Sequence, residues 1–326
     1  MALRERVRAA TSIWSGQIML LALTSFFAGL GQGLINAANT NFMVNVLGLS
    51  GSQVLWLTGI REIPGLVLVF IAALLARMPL SRRAALSLIV MGLGYGLHAA
   101  VRSYSALLAV AVVASLGFHN WMPLQSTLGF HLTAKAHSGR LMGFLTSAGA
   151  LASIVGMGFT AWLAPSIPLG TFFVLGGALI GLGGLMVARI PTSVGEQVSA
   201  RPRMIFKKRY WLYYVLTFFE GSRTQVFGAF GTLILVQRYG LDAREISLLL
   251  ATSAAVNFLI APGATAGPSR RTANSRHQLR RAGSLLRWLR HRPQCSLPVW
   301  DGHRDQPSGD AEHRAVDLRQ PNRAAR

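Results

Sequence analysis

The sequence predicts an all-α integral membrane protein, a bundle of apolar helices in which one unit occurs twice. Three observations carry that prediction. Of 326 residues 52% are hydrophobic and only 13% charged, and the apolar residues gather in runs of about 18 to 25, enough to cross a ~30 Å hydrocarbon core at 1.5 Å per residue. The second observation is a repeat. Phe26 to Leu57, laid without gaps over Phe218 to Leu249 at an offset of 192, matches at nine of 32 positions: Phe26/Phe218, Phe27/Phe219, Gly29/Gly221, Ala37/Ala229, Thr40/Thr232, Val44/Val236, Gly48/Gly240, Leu49/Leu241 and Leu57/Leu249. Chance in so apolar a composition gives roughly three. So long a period suits a duplicated membrane bundle and not a solenoid. The third observation is an alternation of charge between successive loops.

Eight spans are expected at about 17–39, 54–76, 84–101, 105–128, 141–163, 169–188, 212–236 and 246–261. The loops on one side carry 14 Lys and Arg: Arg4, Arg6, Arg8, Arg77, Arg82, Arg83, Lys135, Arg140, Arg189, Arg201, Arg203, Lys207, Lys208 and Arg209. The other side has three, Arg102, Arg238 and Arg244. That asymmetry predicts a multi-pass protein of the cell membrane with a cytoplasmic N-terminus. The arginines ahead of the first apolar run imitate a signal peptide. The run is too long for one, no small-residue cleavage site follows, and further spans come after it, so it reads as a retained first helix.

The segments follow from composition. Residues 1–190 form a six-helix N-terminal half, 191–210 a basic cytoplasmic linker, 211–263 the first two helices of a second half, and 264–326 an Arg-rich tail. The net charge of +21 is unevenly placed: residues 264–326 alone hold 13 Arg and five acidic groups. The counterpart of span three would be residues 276–293, which run from Arg276-His277 to Arg292-Pro293. No such segment crosses a bilayer, since each central arginine costs about 2.5–3.5 kcal/mol. The expectation is a disordered basic tail read out of frame, on a gene that once encoded twelve spans; 29 Arg against 3 Lys fits GC-rich codons. The competing reading is a genuine tail that touches anionic lipid or nucleic acid. Specific nucleic-acid binding is not expected, because Trp288 and Trp300 are its only aromatic residues and acids are interspersed.

Six helices, a basic linker and a second copy entering from the same side resemble the major facilitator superfamily of secondary transporters, over residues 14 to 263. The family's local signature, roughly Gly-x-x-x-Asp-Arg-x-Gly-Arg-Arg after span two, corresponds to Ala76-Arg77-Met78-Pro79-Leu80-Ser81-Arg82-Arg83. Arg77, Arg82 and Arg83 are kept as cytoplasmic loop charges, while the aspartate and both glycines are replaced. Span five, with Gly149, Ala152, Ser153, Gly156 and Gly158, is similar to the glycine-rich helix of the antiporter branch. The resemblance implies alternating access about a midplane site between two halves, and a central cavity lined by the first and seventh helices.

Ionisable and amide groups inside spans are the candidates for the substrate or ion pathway. Arg61 and Glu62 lie in span two, and Glu220 and Arg223 in span seven, joined there by Gln225. Glu220 and Arg223 share a helix face at a spacing of three. Arg61 and Glu62 are adjacent, point about 100° apart on a helix, and are expected to need different partners, with Arg61–Glu220 or Glu62–Arg223 as cross-pairs. Asn36 and Asn39 fall on one face of span one, beside Gln32 and Asn41, for cavity lining or interhelical bonding. Span four carries His119, Asn120 and Gln125 around Pro123, where a kink would free carbonyls at mid-depth and His119 would serve proton coupling. The pairs Gly92/Gly96 and Gly177/Gly181 have the spacing that lets membrane helices approach closely.

Gly29, Gly31 and Gly33 make no nucleotide loop, since no strand precedes them. With no Walker sequence, no Cys/His cluster and a single cysteine, Cys295, neither cofactor nor metal is expected. The reading is a transporter of a small solute, ion-coupled and incomplete, in which the 326-residue chain alone is inactive. Two alternatives stand beside it. A polytopic membrane enzyme would need a catalytic constellation that the loop residues Glu5, His131, His137, Glu196, Asp242 and Glu245 do not make. A membrane-anchored scaffold would lose its partner on deletion of 264–326.

Overall fold

The computed structural model describes residues 15–195, 208–212, 215–216 and 226–265. Glu220, Arg223 and Gln225, and the whole tail from 266, lie outside the described residues. In chain order the helices are α1 (Gly16–Asn41, continued by a π-helical turn Phe42–Val46), α2 (Gly51–Ile60), α3 (Ile63–Leu66), α4 (Leu68–Leu74), α5 (Leu80–Leu97), α6 (Tyr104–Leu132), α7 (Ser138–Leu163), α8 (Leu169–Val187), α9 (Gly231–Tyr239) and α10 (Ala243–Thr265). Five helical stretches among the described residues are long and apolar enough to cross a membrane: Gly16–Val46, Leu80–Ala100, Tyr104–Leu132, Lys135–Leu163 and Leu169–Val187. The fold is an all-helical membrane bundle. Large apolar side chains such as Leu93, Trp162 and Leu185 face outward, as they do where lipid is the solvent and every main-chain polar group is satisfied inside a helix.

α1 is the centre of the bundle and packs against both α7 and α8; α5 lies between α6 and α8, and α10 covers parts of α7 and α1. Small residues set these crossings. A Cβ added at Gly29 would stand 2.9 Å from the Cα and the carbonyl carbon of Gly149, and one at Gly33 would stand 2.8 Å from the same atoms of Ser153. Main chain therefore meets main chain between α1 and α7. Gly92 and Gly177 do the same between α5 and α8, where a Cβ on Gly92 would be 2.5 Å from the Gly177 oxygen. Without a hydrophobic force between helices in lipid, such close approach and its van der Waals contact hold them together.

The repeat is visible in backbone geometry. Gly48 and Gly240, equivalent at the offset of 192, both adopt the left-handed conformation, with φ of 65° and 70°. The residue after each closes the same turn: Leu49 N–H donates to Met43 O at 3.0 Å and Leu241 N–H to Leu235 O at 3.1 Å. These are Schellman closures, which need a glycine at that position. The next helix starts alike in both copies. Ser50 and Gln53 exchange main-chain hydrogen bonds as a capping box at the start of α2, and Asp242 and Glu245 do so at the start of α10, at 2.9 and 2.8 Å. Ser against Asp and Gln against Glu are not identities, yet each pair satisfies the same free N–H groups.

Span two departs from the expected continuous helix over 54–76. It is three pieces, α2, α3 and α4, with turns at Arg61-Glu62 and around Val67. Pro64, in the first turn of α3, has no N–H to bond the preceding turn, and Gly59 and Gly65 flank it. Span four, by contrast, stays helical from Tyr104 to Leu132 straight through Pro123. The expected interruption thus falls in span two. α10 also extends beyond the expected stop at Pro262-Gly263, to Thr265.

Candidate transport site

The break in span two builds a charge cluster. Arg61 ends α2 and Glu62 precedes α3, so the two are not held 100° apart on one cylinder. The expectation that they need different partners is corrected: Arg61 Nε lies 3.6 Å from Glu62 Oε1, a loose ion pair. The second carboxylate oxygen, Oε2, lies 3.2 Å from His119 Nε2 on α6. That is ion-pair distance, with the ring N–H off the line of a good hydrogen bond, since Nε2 is buried without an aligned acceptor. The ring rests over Gly65, where an added Cβ would be 3.0 Å from its Cε1 and Nδ1. The Ser115 hydroxyl of α6 donates to the main-chain oxygen of Arg61. α6 therefore serves the break twice, once on a freed carbonyl and once on the carboxylate.

Beside the cluster is a recess lined by Asn39, Met43, Leu57, Thr58, Arg61, Tyr95, His98 and Ala111. Four elements contribute to it: α1 with its π turn, α2, α5 with the turn that follows, and α6. His98 is buried, its Nδ1 2.8 Å from Gly94 O and its ring stacked on Phe173 at a centroid distance of 5.2 Å. A carbonyl only accepts, so Nδ1 carries the proton. Thr58 donates back to Val54 O.

A second polar feature joins the two copies of the repeat. Thr40 Oγ1 donates to Thr232 Oγ1 at 3.1 Å, and these threonines are each other's equivalents at the offset of 192. Equivalent atoms of two parallel repeats touch only where the symmetry axis passes. Next to it the Asn41 amide donates to Leu241 O at 2.9 Å, tying α1 to the turn between α9 and α10.

The remaining sequence candidates are dispersed. Asn36 is exposed while Asn39 lines the recess, so the shared face is divided between two environments. Asn120 is buried and donates to Leu116 O of its own helix at 2.8 Å. Gln125 donates to Ser25 Oγ at 2.8 Å, bridging α6 to α1. Arg77 and Arg82 are exposed, and Arg83 is half-buried with Nε unpartnered. The cross-pairs with Glu220 and Arg223 fall outside the described residues. Sequence reasoning did not single out Thr58, Tyr95, His98 or Ser115. It did contain the signal for the Glu62–His119 pair: Glu62 is the sole acid between positions 6 and 195, so every cation of the first six spans has one possible counter-charge.

The sequence profile described as "Major Facilitator Superfamily" matches residues 21–286. The chain belongs to this superfamily. Members move small molecules across lipid bilayers, and the bundle carries the corresponding fold. It is similar to a mutant of the nucleoside transporter NupG, at 15% identity and a TM-score of 0.61, over 75% of this chain and 66% of that one. It is also similar to a bacterial homologue of the human lysosomal transporter Spinster, captured inward-facing and unoccupied, at 14% identity and a TM-score of 0.52, over 74% of this chain and 59% of that one. The chain thus spans less than two thirds of the length of either transporter. No curated protein sequence matches significantly. Among its described residues the stretches 16–46, 80–100, 104–132, 135–163 and 169–187 are long and apolar enough to cross a membrane, and 51–74 between the first two is helical in three short pieces.

Proposed function

We propose that this chain is the membrane-embedded part of a proton-coupled transporter, not an enzyme, in which the two copies of the repeat rock about an axis near Thr40 and Thr232. The observation that carries the coupling is the Glu62–His119 contact at 3.2 Å beside the break in span two. It joins the only carboxylate between positions 6 and 195 to the one side-chain type whose ordinary titration range spans neutral pH. Lipid exposes neither group cheaply, so their placement against each other and Arg61 supports a working pair. The inside charge excess supports a cell-membrane protein with a cytoplasmic N-terminus. The division into a 1–190 half, a 191–210 linker, a 211–263 start of the second half and a 264–326 tail belongs to the same proposal. So does inactivity of the 326-residue polypeptide by itself, since a site shared by two halves needs both.

Histidine 15N labelling of the purified chain in detergent tests the coupling. The His119 ring signals are expected to change in Glu62→Gln, which removes the carboxylate that faces Nε2. A ring that stays neutral from pH 8 to 5, or one indifferent to Glu62→Gln, ends the coupling proposal. Saturable uptake by the reconstituted 326-residue chain would contradict its inactivity.

A further inference from the structure

The cluster holds one carboxylate between two groups able to be cationic. Glu62 gives one oxygen to Arg61 at 3.6 Å and the other to His119 at 3.2 Å. With the imidazole neutral, Arg61 and Glu62 balance. With it protonated, the cluster carries one net positive charge and Glu62 is pulled between two partners. The longer of the two contacts, that to Arg61, is the one to yield.

Arg61 also lines the recess, and among the described residues its lining is rich in donors and holds no acid. Among the described residues the Asn39 amide and the Tyr95 hydroxyl have no hydrogen-bond partner, nor has either terminal nitrogen of Arg61. The groups facing it are Asn39 from α1, Thr58 and Arg61 from α2, Tyr95 and His98 from α5 and the turn after it, and the apolar Met43, Leu57 and Ala111. His98 Nδ1 is committed to Gly94 O, and its ring is held by Phe173. No carboxylate comes from α1, α5, α6 or α8, because Glu62 is the sole acid between positions 6 and 195. The cavity volume is about 20 Å³, which admits one small polar group and not a whole solute.

We propose that this recess holds the carboxylate head of an anionic solute on Arg61, and that a proton entering the His119 ring frees Arg61 by drawing Glu62 away, so that proton and anion bind together. The proposal rests on the proton-coupled reading above and adds the substrate class. A guanidinium presents a planar fork of donors that matches a carboxylate. The Asn39 amide and Tyr95 hydroxyl supply the remaining donors. The proton comes from solvent and enters at Nδ1, because Nε2 faces a carboxylate that only accepts. No bond other than N–H is made or broken. By linkage, one coupled proton raises anion affinity by at most about tenfold per pH unit.

The test uses the full chain in detergent at constant ionic strength, with acetate as probe and acetamide as its neutral counterpart, each titrated by calorimetry at pH 8 and pH 6. Acetate is expected to bind, about tenfold more tightly at pH 6, and acetamide not to bind. Glu62→Gln is expected to bind acetate at pH 8 as tightly as the wild type does at pH 6, since Arg61 is then permanently free. His119→Gln is expected to keep the weak binding of pH 8 at both pH values. Arg61→Gln is expected to abolish binding; should it not fold, Arg61→Lys, which keeps the charge and loses the fork, is expected to weaken it. Equal binding of acetate and acetamide, binding unchanged in the Arg61 variant, or Glu62→Gln no tighter than wild type at pH 8 would overturn the proposal. The 15N readout separates the two ideas: His119 protonation that responds to Glu62→Gln with no acetate binding sinks the anion site alone. Acetate binding that needs Arg61 but ignores pH sinks the coupled step and leaves the anion site.

Discussion

Gly29→Ala is the most direct probe of how the bundle is held. The added Cβ would lie 2.9 Å from the Cα and carbonyl carbon of Gly149 and closer still to its oxygen. Carbon atoms in good contact are ~3.5 Å apart, so the shortfall to carbon is about 0.6 Å. All three atoms are main chain, which cannot swing aside, so α1 and α7 must separate bodily. A gap of that order forfeits about a quarter of each dispersion contact along the seam, and overpacking of this kind costs about 1–3 kcal/mol. Better helix propensity of alanine returns about 1 kcal/mol, leaving a net loss of up to about 2 kcal/mol. Gly158→Ala, on α7 with nothing within 4 Å of the new Cβ, keeps only the propensity gain. Gly149→Ala points its Cβ to an ordinary 3.4 Å from Ser25 O and is expected to be mild, although Gly149 is the residue struck by Gly29→Ala. Unfolding in mixed dodecylmaltoside and SDS micelles, followed by far-UV circular dichroism, reads the differences. Adding Gly33→Ala to Gly29→Ala is expected to cost less than the sum, because the helices are already apart. Gly29→Ala no less stable than Gly158→Ala would refute main-chain contact between α1 and α7.

Three further outcomes are expected. On a Cys295→Ser background, Thr40→Cys with Thr232→Cys is expected to cross-link under copper–phenanthroline, while either cysteine alone gives no internal cross-link; mass spectrometry of the digest reads it, and no linked peptide would remove the axis from this position. Gly48→Ala and Gly240→Ala should each cost about 1–2 kcal/mol in the same unfolding assay, because both place a Cβ in the left-handed region; a loss at one and not the other would break the equivalence of the two turns. Ser115→Ala leaves the Arg61 carbonyl without its hydroxyl donor and is expected to destabilise by about 1–3 kcal/mol, and a neutral result would mean that water takes the place of the hydroxyl.

How far the molecule was legible differs from element to element. The spans at 84–101, 105–128, 141–163 and 169–188 were readable because lipid requires an unbroken apolar run of fixed minimum length. The Gly48 and Gly240 turns were readable because a left-handed residue in two copies calls for glycine in both. The capping boxes were harder, since Ser50/Gln53 and Asp242/Glu245 preserve function without identity. The interruption of span two was misplaced to Pro123. A proline removes one N–H wherever it stands, and what neighbouring elements offer the freed carbonyl decides whether the helix turns. At span two Gly59, Pro64 and Gly65 coincide and Ser115 is waiting.

The sequence by itself determined that this chain lives in a bilayer and is built from a repeated unit, because hydrocarbon thickness and turn geometry are local demands that a linear string must meet residue by residue. Only the tertiary structure decided that Glu62 meets His119 and Arg61 together, that Asn39, Tyr95 and His98 share one recess, and that Thr40 touches its own equivalent. Those facts depend on which helix faces which, and in lipid that choice follows from the close fit of main-chain surfaces, a property of pairs of helices that no single helix records.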